Sequence, residues 1–467
     1  MKINWLNEVE KRKDQLINET QEFLRINSVL DESTASAGQP FGKGIANALQ
    51  HMLTEGEDRG FSVKNLDGYA GYVEHGSGKE SVGILCHLDV VPAGTGWTSP
   101  PFAAEIREEK LFARGAIDNK GPTMAAFFAL ALVKELNVEL SKRVRIIFGT
   151  DEESNWRCVE HYFEHEEMPT IGFAPDADFP IIHAEKGIMD VELKFSEKDS
   201  DGEVKLETFK SGERLNMVPE SAEVKLKGNE EHLASIIASF SAFLEEKTFE
   251  GSFDHTKETL VLSILGKSAH GSTPERGINA SLYLAEFLHS LQLTKLPAFI
   301  SLLGEKCQGD FYGQTLGINV EDEVSGPLTV NVGKVSYKRG SSAGVGLNIR
   351  YPVTADGDKI IHALKQAASD NQAEIKVIDH MTPSYVEGDH PLIKTLQGVY
   401  ERQTGEKAGL LAIGGGTYAR SLDVGVAFGP MFPGREDVAH QKDEYILIDD
   451  LIKAAAIYAE AIYELAK

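Results

Sequence analysis

Cysteine is nearly missing from this chain. Cys86, Cys158 and Cys307 are its three cysteines in 467 residues, an odd number with no CxxC pair. Neither a disulfide framework nor a thiolate zinc cage is indicated, so any metal must be held by imidazole and carboxylate. Long apolar runs are also lacking. The longest, "AAFFALALV" at 125–133, is far too short to span a bilayer, and the amino end "MKINWLNEVEKRK" has no apolar core of the length a secretory signal needs. A cytoplasmic protein is expected. Positive charge is scarce: 47 Lys and Arg against 72 Asp and Glu leave a net charge of -25, which repels nucleic acid and anionic membrane surfaces. Neither is expected as a partner. There is no low-complexity linker, no P-loop and no G-x-G-x-x-G fingerprint, which argues against nucleotide binding.

What is present reads as a folded protein of two or three domain-sized pieces. Val9, Leu16 and Phe23 recur every seven residues and predict an amphipathic helix over 4–27. "VGILC" (82–86) and "RVRIIFG" (143–149) are apolar on both faces, like strands buried between helix layers. Between them "GPTMAAFFALALVKEL" (121–136) opens with a proline in its first turn, as helices do. That is a βαβ unit, the mark of a parallel sheet. After residue 187 strands predominate, and two stretches, 187–265 and 330–380, share the order strand, strand, helix, strand. From 382 the helix and strand alternation resumes. The expected architecture is an α/β domain with a mostly parallel sheet, in segments 1–186 and 382–467, interrupted over 187–381 by an α+β domain with a doubled strand-strand-helix-strand unit.

In open parallel sheets, functional groups gather beyond the carboxyl ends of the strands. Five polar clusters stand at such ends or in loops feeding helices: His87 and Asp89 in "HLDVVP", Asp118 in "ARGAIDNKGP", Glu152 and Glu153 in "GTDEES", Asp176 in "APDADFP" and His440 in "GREDVAH". Each has an ordinary reading on its own, as a rim histidine, a turn aspartate, a solvated glutamate pair, a helix cap or an uninformative histidine. Together they offer imidazole and carboxylate without thiolate, a set suited to zinc, manganese or cobalt. A carboxylate shared by two ions could hold them about 3.5 Å apart.

The ordered set "GILCHLDVVPAG", "DNKGPT", "TDEESNW", "APDADFPIIHAEKG" and "KSAHGSTPERG" resembles the co-catalytic di-zinc exopeptidases, the superfamily of carboxypeptidase G, aminoacylase and carnosinase, and most closely the bacterial cytosolic dipeptidases of the PepV type. The resemblance spans most of the chain. It implies a zinc-exopeptidase-like catalytic domain with an α+β lid, and two divalent ions per chain, Zn2+ or else Mn2+ or Co2+. His87 and Asp176 would hold one ion, Glu153 and His440 the other, and Asp118, followed by a cis peptide, would bridge them. Asp89 would accept the other imidazole N–H of His87. Asn119 stands where many relatives carry a second Asp, a departure expected to matter little.

The chemistry of amide hydrolysis assigns further parts. Glu152, beside a ligand but not needed as one, is the candidate base that takes a proton from the attacking water and returns it to the leaving nitrogen. By resemblance His270 donates to the developing oxyanion; alone it would read as a surface histidine. A free substrate carboxylate calls for a guanidinium, and Arg350 in "GLNIRYP" is the candidate, with Asn216 in "RLNMVP" as an amide partner. An exposed strand arginine is the ordinary alternative. The turn "LLAIGGGTYAR" suits a carboxylate, which gives Gly415 and Thr417 to the substrate's far end, although a tight turn needing glycine for its shape remains equally open. The doubled insert implies a monomer, and small dipeptides are the expected substrates. Alternatives are an N-acyl amino acid amidohydrolase with the same metal chemistry and a noncatalytic metal- or amino-acid-binding relative; the retained Glu152 argues against the latter.

Overall fold

The computed structural model describes residues 3–196, 202–293 and 296–467. The chain forms two compact units, Met1–Ala184 with Ser384–Ala412 and Gly416–Lys467, and Glu185–Pro383 with Ile413–Gly415. Each has its own apolar core.

The first unit is built on a nine-stranded sheet. Its centre is parallel, with Arg143–Gly149, Ser81–His87, Ile171–Ala174 and Gly425–Ala427 side by side in that order. Its margins are antiparallel, Ala70–His75 and Ser62–Leu66 on one side and Ile181–Glu185 on the other. The mostly parallel sheet expected from the sequence is therefore a mixed one. Asp67 and Gly68, with φ of 54° and 75°, turn the first two strands back on each other, and so tight a turn joins only antiparallel neighbours.

Ser81–His87 is buried at every position, which is why it reads as an unbroken apolar run. The helix Lys120–Glu135 is buried around nearly its whole girth because it lies against the long helix Ile448–Ala466, and both contact the sheet. The single helix expected over 4–27 is two, Trp5–Glu10 and Lys13–Leu24. Arg12 leaves helical geometry between them and turns its guanidinium to the Glu8 carbonyl and to the carboxylates of Glu8 and Glu135. Val9, Leu16 and Phe23 are all buried; the heptad spacing marked the inner face but not the break. No helix among the described residues is long and apolar enough to cross a membrane.

The second unit is built on an eight-stranded antiparallel sheet. Its doubling is visible in the topology. In one half the helix Glu230–Lys247 joins Ser221–Lys227 to Glu250–His255, with Thr259–Leu265 running antiparallel between them. In the other the helix Gly357–Asp370 joins Ala343–Tyr351 to Ala373–Met381 around Gly187–Phe195. The halves meet where Lys205–Ser211 pairs with Thr329–Lys338. One expectation is corrected. Gly187–Phe195, placed by sequence order in the first repeat, is built into the second, because pairing between distant strands is settled by packing and not by local pattern.

Gly187 lies directly across from Tyr351, and a Cβ added there would meet the ring Cζ at 2.1 Å. Overpacking of this kind costs about 1–3 kcal/mol. Gly187→Ala should lower the denaturant midpoint of the protein accordingly; an unchanged midpoint would show that the ring moves aside freely.

Candidate metal centre

The central strands deliver their polar residues to one edge of the sheet. Ser81–His87 ends on His87, Arg143–Gly149 runs into Glu152 and Glu153, and Ile171–Ala174 runs into Asp176. Asp118 stands just before Asn119, the N-cap of the helix Lys120–Glu135, near the positive end of the helix dipole, which favours a carboxylate. His440 arrives from the loop before Tyr445–Leu447 with φ of 62°. The peptide between Asp118 and Asn119 is cis.

These residues converge. His87 Nε2 lies 2.9 Å from Asp118 Oδ1 and 3.5 Å from Asp176 Oδ1. His440 Nε2 lies 3.1 Å from Asp118 Oδ2 and 3.0 Å from Glu153 Oε1. Asp118 thus presents one oxygen to each imidazole. Two donor sets, His87, Asp118 and Asp176 and then Asp118, Glu153 and His440, each have donor atoms within 4.8 Å of one another and share Asp118. A third set joins His87 with Glu152 and Glu153 at the same spacing, so geometry alone does not separate Glu152 from the ligands.

The electrostatics favour cations. Burial raises Asp176 and Glu153 above the usual carboxylate range and raises Glu152 well above it, with the charge of Asp118 adding in each case. Burial would also raise Asp118, but hydrogen bonds from His440 and His87 hold it well below its ordinary value. Hydrogen bonds to Asp118 and Glu153 push His440 up to about 10. Burial would lower His87, yet Asp176 and Asp118 bring it well above its usual value. Acids that resist ionising beside imidazoles that keep their protons describe a cluster short of positive charge. With neutral imidazoles, Asp118, Glu152, Glu153 and Asp176 carry four negative charges, which two divalent cations would balance. The nitrogen and oxygen donors fit such ions.

Several residues position this centre. Asp89 was expected to accept the second imidazole N–H of His87. Instead, His87 Nδ1 donates to the main-chain carbonyl of Asp89 at 2.9 Å, with the nearest carboxylate oxygen at 3.6 Å. The carboxylate is engaged elsewhere, accepting the backbone N–H groups of Glu152 and Glu153 at 3.1 and 3.0 Å. Asp89 therefore fixes the ring through its backbone and the glutamate loop through its side chain. Asn119 matters more than expected. Fully buried, it donates to Asp176 Oδ1 at 2.7 Å and to the Pro175 carbonyl at 2.6 Å, while its own oxygen accepts from Thr123.

The sequence reading missed Glu444. Its buried carboxylate accepts from Arg114 Nη1 at 2.6 Å and from the backbone N–H groups of Gly115, Ile117 and Asp118 at 3.1, 2.9 and 3.2 Å. Four residues after His440, it ties the His440 segment to the loop that carries Asp118. The spacing in "HQKDE" was available as a signal, but an acid near a histidine has no direction until the fold supplies one.

Within the second unit, His270 Nδ1 accepts the Ser272 backbone N–H at 3.2 Å and lies 2.7 Å from its hydroxyl. That leaves Nε2 as the protonated nitrogen. Partial burial and then Arg350 lower its pKa, so the imidazole is a neutral donor. Arg350 is 5% exposed, unlike an ordinary surface strand arginine. Its Nε donates to Asn348 Oδ1 at 2.9 Å and its Nη1 to the Gly414 carbonyl at 2.7 Å, while Asn348 donates to Asp190 at 2.6 Å. Gly414 must be glycine here, since a Cβ would lie 2.7 Å from Ser272 Cβ, whereas Gly415 has room for one. The exposed Asn216 accepts the Gly271 N–H through its backbone. Thr417, in the first unit, is buried and its hydroxyl caps the turn Tyr418–Ser421 by accepting from Ala419 N.

Comparison with known proteins yields a consistent answer. The model of the family described as "Peptidase family M20/M25/M40" matches residues 83–464. "Putative dipeptidase YtjP" of Bacillus subtilis (strain 168) is 55% identical over 470 residues and covers 100% of both chains. "Putative dipeptidase SAB1611c" of Staphylococcus aureus (strain bovine RF122 / ET3-1) is 41% identical over 465 residues, 99% of each. Among solved structures, human carnosine dipeptidase 1 aligns with a TM-score of 0.57 at 14% identity, covering 99% of this chain and 98% of that one, which is a likeness of fold.

If Glu444 holds the Asp118 loop in place, Glu444→Ala should weaken divalent-metal binding and destabilise the protein by about 3–5 kcal/mol, the usual loss when a buried ion pair is left with one partner. Chelator competition and denaturant unfolding measure the two. Unaltered metal affinity at a temperature well below melting would assign Glu444 to stability alone.

Proposed function

The chain belongs to peptidase family M20/M25/M40, and we propose that it is a dipeptidase that hydrolyses the peptide bond of unblocked dipeptides at a pair of divalent cations. The observation that carries this reading is Asp118 shared between two His- and carboxylate-containing donor sets. His87 and Asp176 are assigned to one ion, Glu153 and His440 to the other, and Asp118 to both. Zinc is the proposed metal, with manganese or cobalt as alternatives that the same donors accept. When bound, such a pair makes a water nucleophilic at neutral pH and polarises the scissile carbonyl.

The remaining work falls to side chains. Glu152 takes the proton of the attacking water and returns it to the leaving nitrogen. Burial raises its pKa and so strengthens it as a base. Asp89 supports this by gripping the Glu152 backbone N–H. His270 donates from Nε2 to the oxyanion as a neutral imidazole, the tautomer fixed by the Ser272 N–H at Nδ1. Arg350 reads the free carboxylate, aimed by Asn348 and the Gly414 carbonyl, with Asn216, Gly415 and Thr417 around the substrate's far end. The doubled second unit supports a monomer, the acidic charge disfavours polyanionic partners, and a cytoplasmic enzyme of small substrates is the reading that goes with them.

A purified sample should contain about two divalent ions per chain and cleave free dipeptides in preference to N-acetylated ones; the opposite preference would favour the amidohydrolase. Glu152→Gln should keep both ions yet lose turnover by about 10²- to 10⁴-fold. Loss of an ion in that variant would make Glu152 a ligand.

Arg350→Met should cost about 2–5 kcal/mol in kcat/KM on dipeptides and much less on dipeptide amides, which lack the charge. Removing the neighbouring cation should also raise the pKa of His270, a shift that NMR titration of its ring would register. Equal losses on acids and amides would show that Arg350 supports the fold of its unit without reading the carboxylate.

A further inference from the structure

The loop that carries Glu152 and Glu153 continues into the helix Arg157–His165, whose last residues read His161-Tyr-Phe-Glu164-His165. On a helix, positions i, i+3 and i+4 share one face, two histidines four apart are a donor pair for a transition metal, and Glu164 adds a carboxylate on the same face. The donor atoms of His161, Glu164 and His165 lie within 4.8 Å of one another. Around a tetrahedral zinc ion the donors stand about 3.3 Å apart, a difference within the reach of small side-chain rotations.

Two features separate this cluster from histidines fanned out in solvent. His165 Nδ1 donates to the His161 carbonyl at 2.8 Å, which fixes the tautomer and leaves Nε2 with its lone pair, as in a ligating histidine held by a backbone carbonyl. The His161 ring is stacked on Tyr69 at 4.5 Å between centroids and lies tilted against the His165 ring at 4.3 Å, and Asp67 Oδ2 lies 3.2 Å from its Nε2. Both rings are therefore turned and held before any ion arrives.

We propose that His161, Glu164 and His165 form a third divalent-metal site, separate in every ligand from the centre above, that takes a zinc-class ion with Asp67 as the neighbouring carboxylate. The helix is anchored at its other end by Asp151, which accepts the backbone N–H and Nε of Arg157 at 3.1 and 2.9 Å. Asp67 and Tyr69 belong to the turn between the marginal strands Ser62–Leu66 and Ala70–His75. An ion at this site would tie that turn to the helix and brace the segment that follows Glu152 and Glu153.

The test uses the intact enzyme with its first two ions loaded, dialysed to equilibrium against Zn2+ and analysed for metal, beside the double variant His161→Gln, His165→Gln. Wild type should bind one more zinc ion per chain than the double variant. Added Zn2+ should raise the melting temperature of wild type and leave that of the variant unmoved, and the two should hydrolyse dipeptides equally when no zinc is added. Equal zinc uptake and equal melting behaviour in the two proteins would overturn the proposal and return the cluster to a solvated helix end.

Discussion

Asp118 sits between two imidazoles, one oxygen 2.9 Å from His87 and the other 3.1 Å from His440, and much of the first unit is arranged to permit it. Two like charges about 4 Å apart repel by about 4 kcal/mol at the effective dielectric of a protein. Asp118, Glu152, Glu153 and Asp176 all converge on this one place. Such a cluster survives only where fixed donors hold each carboxylate in position and cations neutralise the whole. Asp89, Asn119 and Glu444 supply fixed bonds, each using a side chain to lock a neighbour's backbone or carboxylate.

The sheet explains how residues so far apart in the chain meet. Parallel strands all point their carboxyl ends the same way, so His87, the Glu152 loop and Asp176 emerge at one edge without any loop having to travel. Asp118 and His440 do not belong to that edge by strand direction. They are brought in by a helix start and a late loop, and Glu444 joins those two pieces through the Asp118 loop backbone. The arginine in "ARGAID" has its task here as well: Arg114 pairs with Glu444 at 2.6 Å and reaches the His440 carbonyl at 3.4 Å.

The legible parts of the sequence were those where chemistry and local pattern coincide. Apolar runs ending in His87 or preceding Glu152 reveal both a buried strand and what stands at its end, and the βαβ order gives the direction. Interactions that depend on where a side chain turns were not legible. Asp89 looked like a partner for the imidazole because it lies two residues away, yet the turn offers the ring a carbonyl and sends the carboxylate to the glutamate loop. Asn119 looked inert because it is no ligand, but burial made its amide a donor to Asp176. Gly187–Phe195 was misplaced for a related reason: its alternating pattern says that one face is buried, and says nothing about which strands lie beside it. The His161, Glu164 and His165 spacing was written in the sequence, but only the helix and the Tyr69 stack give its face a fixed geometry.

Four carboxylates of two kinds would be interchangeable if composition decided their roles. Their surroundings separate them. Asp118 accepts hydrogen bonds from two imidazoles and is held ionised, as a residue serving two donor sets has to be. Glu152 and Glu153 are adjacent in sequence and similarly drawn toward the site, but Glu153 is bonded to His440 while Glu152 is not, and burial with its acidic neighbours raises Glu152 further. A group that must bind a proton and then surrender it within one turnover is served by a pKa displaced toward neutrality. Both glutamates stand side by side at the end of a single strand with their pKa raised, Glu152 the more, and the hydrogen bond to His440 is what sets Glu153 apart.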